Sequence, residues 1–423
     1  MADQSSAMPP VGRQRGLFFI LLTVTLDAMG IGLLIPVIPK LIQHLTGQGF
    51  AAAAVYGGWL TATFATAQFF AGPALGSLSD RLGRRPVLLA SLAAFGLSYG
   101  VMAVAPSLAW LFLAQLLTGI FGATPATAGA FIADISPPAE RTRNFGLMAA
   151  AFGTGLVLGP AAGGMLAAVH LRAPFLIAAG LSLATAGYGA LVLPESLRPE
   201  HRRAFSWKKA NPLGAVTALH GSNARVGTLL AAAFFQRFST STLPAIWPYF
   251  TMQQYAWTER DVGYSLAAYG TVTVFVQVTL LRWLDAHLGA RRTAWLGLVS
   301  LAVGYVGFAS ITGAWVAAVA IPLTAMGFAA GPALAGMLSQ QVRPDEQGVL
   351  QGVLASLNGL AAVVTPLAMP PLFSAFSNGV AGWVFPGAPY LVGATLASAG
   401  VFFVLRGPSA GVQSHVLPPS AAG

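Results

Sequence analysis

Asp27 is a carboxylate inside a long apolar run, a position where a charge is costly. The run covers residues 16–38, and Asp27 lies ~16 Å from its start if the run is helical. An ionised group at that depth in a membrane costs at least ~2.5 kcal/mol, so it calls for a function or a partner. None of the six histidines falls in an apolar run, so no imidazole can share a proton-transfer role there. We therefore expect Asp27 to handle protons or a substrate; the alternative is a structural aspartate hydrogen-bonded to a neighbouring helix.

Arg237 is the second charge within an apolar run. It can pair with Asp27, bind an anionic group of a substrate, or extend its guanidinium to a membrane interface. Polar and aromatic residues in other runs are candidates to line a cavity for an amphipathic organic molecule. The predicted cavity residues are Gln68, Gln115, Gln236, Arg237, Trp247, Tyr249, Gln277 and Asn358. Hydrogen bonds between helices and interfacial aromatics are the alternative explanation for about half of this set.

A glycine- and arginine-rich turn follows the second apolar run. It reads Gly76-x-x-x-Asp80-Arg81-x-Gly83-Arg84-Arg85. The glycines permit close helix approach and a tight turn, and the charges can form charge-assisted bonds to neighbouring helix ends. We expect this gating loop, together with Asp134, to latch one end of the protein in one conformational state. A basic loop that only sets membrane topology is the alternative.

The fifth apolar run carries small residues at nearly regular spacing. The predicted motif consists of Gly153, Gly159, Pro160, Gly163 and Gly164. Small residues four apart form a groove for close helix packing, and an internal proline bends a helix. We expect a hinge-like interface here, against the alternative of ordinary helix packing.

These motifs carry a family resemblance. The loop at 76–85 resembles the G-x-L-x-D-R-x-G-R-R signature of the major facilitator superfamily, and 153–164 resembles the element of its drug/proton antiporters. Several segments are similar to the tetracycline efflux antiporters, namely 26–39, 83–89, 122–124, 132–134, 151–153, 348–352 and 356–357. The resemblance implies an all-α integral membrane protein with the major facilitator fold, twelve transmembrane helices in two six-helix bundles. It also implies proton-coupled efflux of a small amphipathic organic compound or drug by alternating access.

The sequence departs from that subfamily at four positions. The best-known tetracycline antiporters have an aspartate in span three, an arginine in span four, a histidine in span eight and an aspartate in span nine. An ungapped alignment places Ser98, Gln115, Thr273 and Leu301 there. Asp27 and Gln277 remain, so the resemblance leaves Asp27 as the membrane-embedded proton carrier. The sequence leaves open an exporter of a metabolite or siderophore, or an importer working by symport.

Composition explains why these residues must be positioned by membrane helices. Hydrophobic residues make up 56% of the 423 residues and charged residues 8%. A soluble globular protein carries about 25% charged residues, so a surface this poor in charge indicates a lipid environment. The formal net charge is +10. The basic residues fall between apolar runs, which favours a topology signal over a nucleic-acid surface.

Apolar runs long enough to cross a bilayer occur twelve times. A helix needs ~20 apolar residues to span the hydrocarbon core. The predicted spans are 16–38, 53–76, 86–106, 109–133, 145–169, 173–193, 226–250, 262–283, 293–313, 314–338, 347–373 and 383–405. They divide the chain into an N-terminal bundle at 1–193, a linker at 194–224, a C-terminal bundle at 225–406 and a tail at 407–423.

The distribution of basic residues predicts the orientation. Of the 22 lysines and arginines, Lys40, Arg172 and Arg260 fall on one side, Arg237 falls inside a span, and the rest fall on the other side. The positive-inside rule then puts both termini, the linker and the tail in the cytoplasm. The predicted location is the bacterial inner membrane, with a multi-pass topology.

Other classes of function fit the chain less well. A membrane sensor is expected to carry a soluble signalling domain, and no stretch outside the apolar runs is long enough for one. An intramembrane enzyme needs a constellation such as Ser/His or paired Asp, and the runs hold none, so we expect no enzymatic activity. The chain has no cysteine, and we expect no metal and no cofactor. The expected partners are a small-molecule substrate, protons and the lipid bilayer, without nucleic acid, and we expect a monomer.

Overall fold

The N-terminal half of the chain folds into six spans. The computed structural model describes residues 10–122, 124–203, 224–343, 346–379 and 382–407, and every regular element in those ranges is helical. In the N-terminal half the helices are α1 Pro10–Leu34, α2 Ile38–Thr46, α3 Phe50–Leu82, α4 Arg84–Val104, α5 Leu108–Ile120, α6 Thr124–Ile135, α7 Pro138–Val169 and α8 Ala173–Val192. A 3₁₀ turn, Pro199–His201, follows α8.

The C-terminal half repeats this plan. Its helices are α9 Ala224–Gln254, α10 Glu259–Phe275, α11 Leu281–Ser310, α12 Val316–Ala325, α13 Gly327–Ser339, α14 Gln347–Ser377 and α15 Ala388–Arg406, with a π turn, Val276–Leu280, between α10 and α11. The predicted linker is described only as far as residue 203 and the predicted tail only at Gly407. The rest of both segments lies outside the described residues.

The twelve predicted spans are confirmed. Nine helical segments of the described chain are long and apolar enough to cross a membrane. One of them, Glu259–Ser310, is interrupted by non-helical backbone at Gly289 and therefore contains two spans. The remaining spans are α3 and α9, with 33 and 31 residues. Three internal prolines do not end α14, which continues from Gln347 to Ser377.

The fourth and tenth spans are each built from two helices. The fourth breaks between α5 and α6, where Gln68 Nε2 of α3 donates to the carbonyl oxygen of Gly122 at 2.8 Å. The tenth breaks between α12 and α13, where Gln236 Nε2 of α9 lies 3.5 Å from the carbonyl oxygen of Gly327. A glutamine from a neighbouring span thus reaches a carbonyl at each break, because backbone groups freed inside a bilayer must find protein partners.

The turns after spans two and eight share a backbone conformation and a contact. Gly83 and Gly289 both adopt positive φ, of 113° and 75°, which favours glycine. Two residues after each glycine, an arginine donates to carbonyl oxygens near the end of the last helix of its bundle. Arg85 Nη2 reaches Ala190 O at 2.6 Å, and Arg291 reaches Val404 O and Leu405 O. The two halves therefore use the same device to fix their third and sixth spans.

The two bundles are in contact at one end and separate at the other. We call the end near Arg84 and Arg203 the linker end and the end near Lys40 and Glu259 the far end. At the far end, α3 packs on α14 at Gly58 and Pro366, and α7 packs on α10. At the linker end, Gly72 and Gly76 of α3 and Gly146 of α7 have open space where a side chain would stand. The space between the bundles is therefore open toward the linker end.

Candidate transport pathway

Asp27 is buried in α1, and the described structure shows no ion pair for it. The residue is 7% exposed and its Oδ1 has no hydrogen-bond partner. The Tyr99 hydroxyl of α4 lies against Gly30, one turn further along α1, and the hydroxyl of the adjacent Ser98 is also buried without a partner. A buried carboxylate with an unpartnered oxygen suits a group that exchanges protons with water only in some conformations.

Arg237 lies on α9, in the other half, and is not paired with Asp27 in this conformation. Among the described residues, none forms an ion pair with Arg237. The Arg237 side chain is half-buried, and its Nη2 lies beside Gly331 of α13. The hypothesis of an Asp27–Arg237 pair therefore has no support in this conformation.

The other predicted cavity residues occupy different environments. Gln115 is half-buried on α5, and Gln277 and Asn358 are exposed on the π turn and α14. Trp247 is 1% exposed and donates from Nε1 to Ser265 Oγ at 2.9 Å, so it belongs to helix packing here. The Tyr249 hydroxyl lies against Gly57, at the far-end contact of the bundles. Gln68 supports the break in the fourth span, as described above.

The gating loop forms a charge network at the linker end. Arg84 Nη1 pairs with Asp80 Oδ1 at 2.5 Å, and Arg84 Nε pairs with Asp134 Oδ2 of α6 at 3.2 Å. Arg84 is 9% exposed, so these charge-assisted bonds are sheltered from water. The structure thus joins Asp134 to the loop, as the sequence predicts. Arg81 is exposed and Gly76 faces open space, so neither contributes to this network in the present state.

Glu195 completes the same network and was missed by sequence reasoning. Its carboxylate accepts from the backbone N–H groups of Arg84 at 2.8 Å and Arg85 at 3.3 Å, which caps the first turn of α4. An anion at a helix N-terminus also interacts favourably with the helix dipole. Because Glu195 follows α8, it ties the start of the linker to the loop. A lone glutamate just beyond a span gave no pattern from which this capping role could be predicted.

Arg84→Ala is expected to slow transport at least ~10-fold while leaving membrane insertion intact. The substitution leaves the carboxylates of Asp80 and Asp134 without their shared cation, and a charge-assisted bond is worth roughly 1.5–3 kcal/mol. Initial rates in vesicles containing matched amounts of inserted protein measure the effect. Arg81→Ala, which removes an exposed arginine from the same loop, is the comparison within the loop. Unchanged rates for Arg84→Ala would reduce the loop to a topology signal.

The small residues of α7 pack it against both bundles. Gly159 lies against Met29 and Gly32 of α1, and Gly163 lies against the backbone of Leu33. On the other side, Gly164 lies against the backbone at Glu259 and Arg260 of α10. Side chains at these glycines would collide with backbone atoms. The motif therefore forms a close three-helix contact at the far end, consistent with the predicted hinge-like interface.

A second functional feature missed by sequence reasoning is an ion pair between the bundles at the far end. Lys40 Nζ of α2 lies 2.6 Å from Glu259 Oε2 at the start of α10. The Glu259 side chain is 10% exposed and the Lys40 side chain 39%. The sequence indicated that both residues lie on the side with few charges. It did not predict the helix α2, which brings Lys40 to Glu259.

The four neutral positions of the subfamily comparison are distributed through the structure. Leu301 is fully buried and packs on Gly327 of α13. Thr273 has a buried hydroxyl without a partner, as does Ser98, and Gln115 is half-buried. Among the described residues of the spans, Asp27 is thus the carboxylate located away from the helix ends.

Comparisons with known proteins agree on one family. The family model of the Major Facilitator Superfamily matches residues 20–235 and 229–419. The class C tetracycline resistance protein of Escherichia coli is 40% identical over 379 residues, which is 89% of this chain and 94% of that protein. The class G protein of Vibrio anguillarum is 37% identical over 89% of this chain and 93% of its own length. A mutant form of the nucleoside transporter NupG superposes with a TM-score of 0.77 at 12% identity, covering 92% of this chain and 99% of that one.

Proposed function

Because the chain belongs to the major facilitator superfamily, we propose that it exports tetracycline-class drugs, or similar small amphipathic compounds, in exchange for protons. The observation that carries the proposal is the arrangement of the bundles around Asp27. They meet at the far end and lack such contacts at the linker end, and the N-terminal bundle holds a buried carboxylate. Identity to tetracycline resistance proteins along nearly their whole length supports the substrate class. A single chain contains both bundles, so we propose that the monomer is the working unit.

Alternating access follows from two contact sets at opposite ends. In the present state the far end is closed by Lys40–Glu259 and by the glycine contacts of α7, and substrate enters from the linker end. When the linker end closes, atoms of the other bundle fill the space beside Gly72, Gly76 and Gly146, while the far end opens. Asp27 takes up a proton from the far side and releases it to the linker side in each cycle. The carboxylate is thereby neutral when the surrounding helices exclude water.

We further propose that the linker end faces the cytoplasm of a Gram-negative cell, with the protein in the inner membrane. The support is the positive-inside rule, because the arginines of the loops after spans two and eight lie at this end. Reporter fusions after residues 15, 203 and 406 are expected to give cytoplasmic signals, and a fusion after residue 172 a periplasmic one. A periplasmic signal after residue 203 contradicts this orientation and the division into six and six spans.

Transport in everted membrane vesicles tests the function directly. Vesicles that contain the chain are expected to accumulate tetracycline when respiration acidifies their lumen, and to lose it when an ionophore removes the pH gradient. Vesicles from cells without the chain are the control. Accumulation that survives the ionophore contradicts proton exchange. Tetracycline loss that is driven by the gradient would instead indicate symport.

A further inference from the structure

Arg237 is a cation near the middle of a membrane span, and the C-terminal bundle offers no acid to neutralise it. The residue is the 14th of the 31 residues of α9. A charge at that depth is costly unless it is paired. No carboxylate of the described residues lies within 4.0 Å of the Arg237 guanidinium.

The acids among the described residues of the C-terminal half lie near helix ends. Glu259 is paired with Lys40, and Asp261 caps the start of α10 by accepting from the Thr258 backbone at 2.9 Å. Asp285 is exposed beside the Gly289 turn, and Glu346 accepts from the Arg343 backbone. Asp345, outside the described residues, directly precedes Glu346 in the sequence. None of these residues belongs to the middle of a span.

Asp27, in the N-terminal half, does not pair with Arg237 either. It is 7% exposed and packed into α1 near Tyr99 of α4. Arg237 is thus only half-buried, whereas Asp27 is enclosed by its own bundle.

The surroundings of Arg237 match a planar anion. Its Nη2 and the Nε2 of Gln236 both lie near Gly331, where a built Cβ would be 3.5 and 3.6 Å away. The two side chains thus bring N–H donors close together beside Gly331. Gln236 Oε1 is buried without a partner, so it is free to accept from a hydroxyl or an ammonium group. Phe234 and Phe238 lie on the same helix with their tilted rings 4.4 Å apart between centroids, so apolar groups flank the two polar residues in the sequence.

We infer that Arg237 and Gln236 form a subsite for the anionic group of an amphipathic organic anion or zwitterion. A guanidinium presents parallel donors to a carboxylate or enolate, and the amide adds a further donor. Binding neutralises a charge that the protein itself leaves uncompensated in the membrane, so the gain is specific to anions. The inference rests on the proposed transport function and specifies its substrate class.

Dye binding to the purified full-length chain tests the subsite without a known substrate. Fluorescein is an amphipathic anion and ethidium an amphipathic cation, and fluorescence anisotropy measures both. Arg237→Gln is expected to weaken fluorescein binding ~10-fold or more, the range for losing a charge-assisted bond, and to leave ethidium binding equal or tighter. Arg237→Lys is expected to retain part of the fluorescein affinity. Arg282→Gln removes an exposed arginine and is the charge-matched control.

Three outcomes overturn the inference: no measurable fluorescein binding to the wild type, unchanged fluorescein binding in Arg237→Gln, or equal weakening of both dyes. The results that would contradict the proposed function differ from those that would contradict the subsite. If vesicles do not transport tetracycline but fluorescein binding depends on Arg237 as expected, the anion subsite remains and the drug class is wrong. If tetracycline is exported at the same rate by wild type and Arg237→Gln, and the dyes do not discriminate, the function remains and the subsite is wrong.

Discussion

Asp27→Asn is expected to abolish drug accumulation driven by a pH gradient while leaving the protein folded in the membrane. Asparagine has nearly the same shape as a protonated aspartate and cannot ionise. Since Asp27 is 7% exposed, a neutral side chain at this position avoids the cost of burying a charge. Every step that needs a neutral residue 27 can still occur, and the step that releases the proton cannot. Net flux against a gradient should therefore fall to the level of protein-free liposomes.

Substrate exchange separates coupling from a structural defect. Exchange of labelled for unlabelled tetracycline needs no net proton movement, so it should survive in Asp27→Asn reconstituted in proteoliposomes. Asp285→Asn makes the same chemical change at an exposed position and should behave like the wild type in both assays. Gradient-driven flux that persists in Asp27→Asn would make Asp27 a structural residue and favour facilitated diffusion. Loss of exchange together with flux would indicate damage to folding or binding.

Much of the fold could be predicted because membrane helices leave a strong sequence signal. Backbone groups in hydrocarbon must bond within a helix, so each span needs a long apolar run, and such runs can be counted. The turn glycines Gly83 and Gly289 were recognisable because only glycine readily adopts positive φ in a tight turn. Breaks inside spans were less visible. The break near Gly122 depends on Gln68, 54 residues away, whose bond becomes evident only in three dimensions.

The candidate site was predicted unevenly for a similar reason. Asp27 and Arg237 stand out because charges inside apolar runs are rare. Whether such charges pair depends on how two bundles are arranged, and a transporter has more than one arrangement. Trp247 shows the opposite problem. An aromatic residue in a span suggests a cavity wall, yet its indole donates to Ser265 and its ring packs on Phe308 at 4.9 Å. Periodicity in one helix does not reveal which face meets a neighbour.

The contacts that sequence reasoning failed to predict join residues far apart in the chain, and the closure of the far end is the main example. Lys40 and Glu259 are 219 residues apart, and each lies in a short connection that precedes an apolar run. Their pairing connects the short helix α2 to the first residue of α10 and so joins the two bundles. Beneath it, Gly164 and Gly263 allow α7 and α10 to approach until backbone meets backbone. The ion pair and the glycine contact lie together at the far end, so both can separate in one movement of the bundles.

Glu259→Lys is expected to shift the transporter about 10-fold toward the state that is open at the far end. The substitution places two cations where a 2.6 Å ion pair stood, at a position that is 8% exposed. Losing a sheltered charge pair costs roughly 1.5–3 kcal/mol, and about 1.4 kcal/mol changes a two-state equilibrium tenfold. Glu259→Gln should act in the same direction with a smaller effect, because it removes the attraction without adding repulsion. In both variants the linker end should close more often.

Cross-linking between introduced cysteines at the linker end measures that shift. The native chain has no cysteine, so no other thiol can react. Gly153 of α7 contacts Val274 of α10, and continuing this antiparallel register places Gly146 opposite Leu281 when the linker end closes. Cysteines at 146 and 281 should cross-link poorly in the otherwise native chain and well in the Glu259→Lys background. The exchanged pair, Lys40→Glu with Glu259→Lys, should restore much of the native behaviour. Recovery should be incomplete, because a lysine at the first residue of α10 faces the positive end of the helix dipole. Equal cross-linking in all four proteins would show that Lys40–Glu259 is a surface contact with no part in closing the far end.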